Sequence, residues 1–488
     1  MPRIKSLAAA STATLSLALA GCMGGSIPDA SAPITQSEAQ AGAEAHPQLL
    51  EEFGGAMTGS QAQYVESVGK NIAVQSGLGN ARDSFTVSLL NSSVNNAFAI
   101  PGGYVYTTRQ LVALMNNEAE LAGVLGHEVG HVAARHSQRR QAKAQQNSLL
   151  GAAGAILSGI LLGNSGLGQQ IGQTFLQGSQ LLTLKFSRSQ ELEADELGIR
   201  YLNQAGYDPK AMATVLQSLA LQNALDARLM GRDNATIPEW ASTHPDPASR
   251  VQTALSKAQG MSGVTNRDTF LTRIDGLLYG DDPKQGVIEG REFIHPELRL
   301  AFTAPQGFYM INGSRAVTIS GQSGKAQFSL GPYSGNLNTY VQSVFSALSK
   351  EQQITPSSIQ RTTVNGLPAA YGTARVSNGN SQVDVTVFAY EFANDRAYHF
   401  LAITPAGQAS TFNAMFSSMR RITAQQAGGV IPRVLDVVTV RSGDTVASLA
   451  GRMAYSDNQV ERFRVLNGLS SNESLTVGQK VKIVVRGN

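Results

Sequence analysis

The sequence predicts a multidomain chain. A mainly α domain with a small sheet spans residues 45–260, an α+β middle domain spans 290–425, and a compact βααβ unit spans 434–488. Three observations carry this expectation. Apolar residues recur at helical spacing over 61–77, 118–135, 190–205, 210–230 and 247–258. Strict alternation over 298–302, 326–330 and 383–389 marks strands. The last segment reads strand, helix, helix, strand. A length of 488 residues fits about three domains at roughly 150 residues each. With 42% hydrophobic and 15% charged residues the chain is globular rather than disordered. A formal charge of +3 argues against nucleic acid as the main partner. The single cysteine, Cys22, excludes an intramolecular disulfide. No apolar run reaches the ~20 residues of a spanning helix.

The first residues read as an address. Arg3 and Lys5 form a short positive region, and Leu7–Ala20 is uncharged. Leu19-Ala20-Gly21-Cys22 resembles a bacterial lipobox, so residues 1–21 are expected to be a lipoprotein signal peptide and Cys22 the lipidated residue. Acyl chains there would hold the protein on a membrane, and Met23 after the cysteine favours the outer one by resemblance. Residues 22–44 are small and polar and read as a tether. Strands are expected at 85–90, 95–100 and 104–107, the second stopped by Pro101-Gly102-Gly103. No charge falls between Lys143 and Lys185, and the apolar stretch 149–163 inside that segment reads as a buried or lid helix.

The chemistry lies on the helix predicted over 118–135. Its segment His127-Glu128-Val-Gly-His131 places two imidazoles at i and i+4, on one helical face, where both can reach one metal ion. Glu128 beside the first histidine can reach a water on that metal and take its proton. A catalytic site needs a third protein ligand and an open position. The extended pattern HExxHxxGxxH is absent, since Ala134 and Ser137 stand where glycine and histidine are required. The helix carrying Glu191-Leu-Glu193-Ala194-Asp195 supplies carboxylates at i and i+4. One can ligate the metal while the other orients a ligand histidine.

These motifs, with Arg135-His136 and Asn96-Ala97-Phe98-Ala99-Ile100-Pro101-Gly102-Gly103, resemble the family of zinc metallopeptidases that includes the HtpX, BepA and Oma-type proteases and the CAAX prenyl proteases. The resemblance covers residues 45–260 and implies a zincin-like metallopeptidase domain with one Zn²⁺ per chain. It implies His127, His131 and Glu191 as ligands and Glu128 as general base, with Asp195 and Arg250 supporting the ligands. His244, in Thr243-His244-Pro245, would sit over the zinc as a plug or bind the developing oxyanion. The strand around Asn96, Ala97, Phe98 and Ala99 would pair with an extended substrate backbone, which reads no side chains and so favours unfolded segments.

The terminal unit resembles a LysM domain, which implies binding to peptidoglycan through Gly443, Asp444, Thr445 and Asn467. No catalytic cluster marks residues 290–425. The expected function is a periplasm-facing, lipid-anchored endopeptidase that cleaves misfolded or stalled envelope proteins. The alternatives are a non-proteolytic chaperone or assembly factor for outer-membrane proteins, and a peptidoglycan hydrolase.

Overall fold

Thr35 opens a helix inside the stretch whose small, polar residues read as a tether. The Thr35 hydroxyl accepts from the Glu38 amide, and the Glu38 carboxylate accepts from the Thr35 amide at 2.9 Å, so each satisfies an orphan donor of the first turn. Helix α1 (Gln36–Glu52) follows, and the tether expected over 22–44 gives way to it at Gln36. This computed structural model describes residues 32–79, 82–140, 186–229, 244, 247–348, 354–378 and 381–487. The expected signal peptide, Cys22, the apolar stretch 149–163 and Trp240 lie outside the described residues.

The expected helices and strands of the first domain form with shifts of a few residues, and two helices that were not expected, over 109–114 and 267–274, join them. In chain order they are α2 (Ser60–Ala73), β1 (Thr86–Leu90), β2 (Ala97–Ile100), β3 (Tyr104–Thr108), α3 (Arg109–Leu114), α4 (Glu118–Ala133), α5 (Arg188–Gln204), α6 (Ala211–Leu229), α7 (Pro247–Lys257) and α8 (Arg267–Ile274). The sheet has the order β1-β3-β2, with β3 parallel to β1 and antiparallel to β2. The alternation of the strands splits it into two buried faces. Val87, Leu89, Ala97, Ala99 and Val105 join the helical core. Leu90, Phe98, Ile100 and Tyr106 pack on Leu49 and Phe53 from the end of α1. Strand β2 is an edge: among the described residues no strand pairs with its outer side.

The sheet-rich C-terminal region begins with β4 (Leu278–Tyr279). Strands β5 (Val287–Glu289), β6 (Glu292–His295) and β7 (Leu300–Thr303) form an antiparallel ladder. Then come β8 (Tyr309–Asn312), β9 (Val317–Gly321), β10 (Gly324–Leu330), α9 (Leu337–Ala347), β11 (Ile359–Val364), β12 (Leu367–Asn378), β13 (Ser381–Ala393) and β14 (Arg396–Pro405). These seven strands make one sheet, ordered β11-β12-β13-β14-β10-β9-β8. Helix α9 covers one face through Leu337, Tyr340, Val341 and Phe345. Phe293, Phe302, Phe412 and Phe416 cover the other. Residues 410–421 read as one helix in the sequence, but they form a 3₁₀ turn (Ala409–Phe412), a short α10 (Asn413–Ser418) and β15 (Arg420–Arg421) on the edge of β7. Met415, Phe416 and Met419 must face the core here, which fixes the break. The expected linker at 425–429 is largely a capped helical turn, α11 (Ala424–Gly428), opened by Thr423 and Gln426.

The terminal unit shows the expected order: β16 (Arg433–Thr439), α12 (Val446–Ala450), α13 (Gln459–Leu466) and β17 (Lys480–Arg486). It is not a bead on a string. Strand β16 pairs with β17 on one side and with β4 on the other. Leu449, Phe463, Leu466 and Ile483 share one continuous core with Leu111, Met115, Leu216 and Leu219. Lys482 is fully buried, and its Nζ donates to the carbonyls of Ala113 at 2.8 Å, Leu114 at 3.2 Å and Met115 at 2.5 Å. Those carbonyls sit at the C-terminal end of α3, where a cation is favoured.

Candidate metal centre

Helix α4 was expected to bury one face, yet every residue from Glu118 to His131 is buried. Helices α2, α5 and α6 and the sheet enclose it. The glycines of the metal motif explain how α5 comes so close. A Cβ at Gly130 would lie 3.1 Å from the Ala194 carbonyl oxygen, and one at Gly126 would lie 3.5 Å from the Gly198 Cα. Gly198 returns the approach: its Cβ would meet the His127 backbone nitrogen at 3.2 Å. Small residues on both helices therefore let the carboxylates of α5 reach the imidazoles of α4. Ser187 starts α5 with a reciprocal cap to Gln190, which places Glu191 in its first turn.

The convergence is tight. His127 Nε2 and His131 Nε2 lie 3.0 Å apart, and Glu191 Oε2 and Oε1 stand 3.5 and 3.4 Å from them. A tetrahedral ion with bonds of about 2.0–2.1 Å needs ligand-to-ligand edges of about 3.3–3.4 Å. His127, His131, Glu191 and His244 each offer one donor atom, all within 4.8 Å of one another, and all four residues are buried. Glu191 Oε1 is a buried carboxylate oxygen without a hydrogen-bond donor among the described residues, and so is Glu128 Oε1. Two facing imidazole nitrogens, an orphaned carboxylate oxygen and the edge lengths together fit a divalent cation. His244 takes the fourth corner, where an open position was required. Its Nε2 also lies 3.3 Å from Glu128 Oε1.

Behind the donors stands a charged support. Asp195 Oδ1 lies 2.9 Å from His127 Nδ1, a contact that favours the proton on Nδ1 and leaves the lone pair of Nε2 for the centre. Arg250 grips both carboxylates: Nη1 donates to Glu191 at 2.6 Å, and Nε and Nη2 donate to Asp195 at 2.7 and 2.6 Å. The electrostatics follow. Burial raises both carboxylates, but the surrounding histidines outweigh it at Glu191, and Arg250 and His127 outweigh it at Asp195: Glu191 stays well below the carboxylate range and Asp195 falls to about 2. Burial works to lower His127, yet Asp195 and Glu191 lift it to about 9. Burial drives His131 well down and takes His244 to about 4, so both favour the neutral, ligating form. Glu128 is pushed up to about 8, chiefly by burial.

Sequence reasoning left His136, Glu193 and Phe186 without roles. Phe186 stacks on His131 at 3.9 Å. His136 Nδ1 lies 2.8 Å from His131 Nδ1. The signal for His136 was its closeness to the motif, but Arg135 adopts φ 49, which ends α4 and folds His136 back onto it. Of the proposed substrate strand, Asn96, Ala97, Phe98 and Ala99 lie in or beside β2, and all four are buried, against α4 on one face and α1 on the other. In the terminal unit, Gly443, Asp444 and Thr445 form the turn that caps α12, with Gly443 at φ 90. Asn467 is separate and buried, its amide donating to Phe463 O and Lys482 O and accepting from Lys482 N.

Comparison with known proteins follows the same division of the chain. Residues 59–258 match the family described as Peptidase family M48, and residues 438–484 match the LysM domain. The matched segment 59–258 holds all four donors. A protein named Beta-barrel assembly-enhancing protease from Escherichia coli (strain K12) is 35% identical over 217 residues, 43% of this chain and 42% of that protein. Its namesake from Yersinia pestis is 35% identical over 227 residues, 45% and 44%. Mitochondrial metalloendopeptidase OMA1 from Schizosaccharomyces pombe is 32% identical over 215 residues, 43% and 57%. The chain thus spans less than half the length of these bacterial relatives. No helix of the described residues is long and apolar enough to cross a membrane.

Proposed function

We propose that this chain is a zinc-dependent endopeptidase of the cell envelope that cleaves misfolded or stalled envelope proteins. It is held to the outer membrane by a lipidated Cys22 and kept near peptidoglycan by its LysM unit, with three units laid out as 45–260, 290–425 and 434–488. The observation that carries the reading is the convergence of His127, His131 and Glu191 with Glu128 beside them. The names of the relatives support the class of substrate.

A bound zinc supplies a Lewis acid that polarises a carbonyl and brings a coordinated water to a pKa of about 7. Glu128 takes the proton of the attacking water and returns it to the leaving amine, and its burial suits it to both steps. Arg250 and Asp195 hold the ligands in place. Strand β2 aligns an extended peptide backbone beside α4. His244 fills the fourth corner at rest, so the enzyme is closed until that residue moves.

The test compares wild type with Glu128→Gln on an unfolded envelope protein and on purified sacculi, with zinc content measured in both. Loss of protein cleavage at unchanged zinc supports the reading. Loss only on sacculi makes it a glycan-layer hydrolase. No difference on either points to the chaperone reading. His244→Ala separates the two roles of that histidine: a plug raises cleavage on removal, whereas an oxyanion donor lowers it. Loss of membrane association in Cys22→Ser, and retention of wild type by sacculi, test the anchor and the glycan contact.

A further inference from the structure

We propose that Glu193 and His136 form a relay that sets the tautomer of His131, and so act as positioning residues for the metal. The inference rests on the metal reading above but not on proteolysis. Its geometry is a linear chain. His131 Nδ1 meets His136 Nδ1 at 2.8 Å, and His136 Nε2 meets Glu193 Oε2 at 3.1 Å. Arg139 Nη1 lies 3.3 Å from both oxygens of Glu193. His136 is fully buried and Gln190 Nε2 donates to its carbonyl at 3.3 Å, which ties the relay to the start of α5.

Proton positions along this chain are forced by its ends. A carboxylate only accepts, so His136 must present N–H at Nε2. The neutral ring then has a lone pair at Nδ1 and accepts from His131 Nδ1–H. That places the lone pair of His131 on Nε2, the atom facing His127 Nε2 and Glu191. The opposite polarity would put a proton on His131 Nε2, pointed at the donor set, and would set a lone pair of His136 against Glu193. Asp195 fixes His127 directly. His131 has no carboxylate at its Nδ1, and the relay brings one to it through a second imidazole.

The experiment measures zinc affinity by competition with a chromophoric chelator, and the cobalt absorption spectrum of the site, in the full chain. His136→Leu should weaken zinc binding roughly 10- to 100-fold, the usual loss when an outer partner of a ligand histidine is removed. His136→Asn, whose amide oxygen can accept from His131 Nδ1, should recover most of that affinity and the cobalt spectrum. Glu193→Gln, which still accepts, should bind like wild type, and Glu193→Leu should lose several-fold. Thermal unfolding without added metal checks that the fold survives in each. Wild-type affinity in His136→Leu overturns the proposal, as does His136→Asn binding no better than His136→Leu. If wild type itself binds no zinc, the metal reading fails instead.

Discussion

Lys482→Met tests whether the terminal unit is part of the core that carries the metal centre. The lysine carries three N–H donors, and three carbonyls receive them, so only the ammonium form satisfies the site. Methionine keeps the stem and removes every donor. Three buried carbonyls at the end of α3 then lose a charge-assisted bond. Glu120, in the first turn of α4, loses a cation that opposes its burial. Removing one member of such a buried set costs about 3–5 kcal/mol. Unfolding of a chain this large need not be two-state, so the readout is amide hydrogen exchange at 111–116 and 480–484. At about 1.4 kcal/mol per decade, protection there should fall by two to nearly four decades. Glu120→Gln in the same background should recover part of the loss, because it removes the stranded charge. A fall of less than tenfold at both segments would refute the reasoning and make the LysM contact incidental.

Other outcomes follow from the same structure. Arg250→Leu strands two buried carboxylates and should cost about 3–5 kcal/mol or the bound metal, read as zinc loss during dialysis and a lower melting temperature. Gly198→Leu should force α5 away from α4 and weaken zinc binding at least tenfold, while its exposed neighbour Arg200→Leu should not. Gly42→Ala would set a Cβ 2.4 Å from the Pro101 carbonyl oxygen and should loosen α1 by about 1–3 kcal/mol, seen as faster exchange in residues 36–52. Burial lowers His399 to about 4 from 6.5, so the unfolded chain binds the extra proton first as pH falls. Stability of the seven-stranded sheet is full above pH 6.5 and should drop by about 3 kcal/mol on approach to pH 4, a slope that His399→Gln should flatten in urea titrations.

What the sequence disclosed depends on the distance over which each feature is encoded. His127, Glu128 and His131 were legible because one helical turn encodes their geometry. Glu191 and Asp195 were legible as a pair, but spacing could not say which would ligate. Their division depends on Arg250, some sixty residues on, and on the glycines that set the gap between α4 and α5. His136 escaped because a helical reading through Arg135 points it away, and only the left-handed turn brings it back. Helix α1 escaped because its first turns are rich in small and polar residues, and its large buried apolar anchors, Leu49 and Phe53, come only at its end. Of the long strands β12 and β13, only 383–389 of β13 was legible, since Pro368, Gly372 and the small or polar residues of β12 leave no period to read.

The docking of the terminal unit changes what that unit can do. A LysM module on a free linker would position the enzyme and nothing more. Here Gly468 sits with its would-be Cβ 3.1 Å from the Asn116 amide and 3.6 Å from the Ser218 hydroxyl, and Asn467 spends its amide on β17 and α13. Arg267 donates to the carbonyls of both Asn116 and Lys480. Arg228 of α6 pairs with Glu461 of α13. The Gly468 and Arg267 contacts meet Asn116, next to Asn117, which caps the helix bearing the metal motif. The terminal unit is thereby packed against the start of α4, about two turns before His127. The turn 443–445 stands on the solvent side of that unit, with Gly443 exposed and Thr445 capping α12. The turn and the metal site therefore belong to one folded body rather than to two tethered ones.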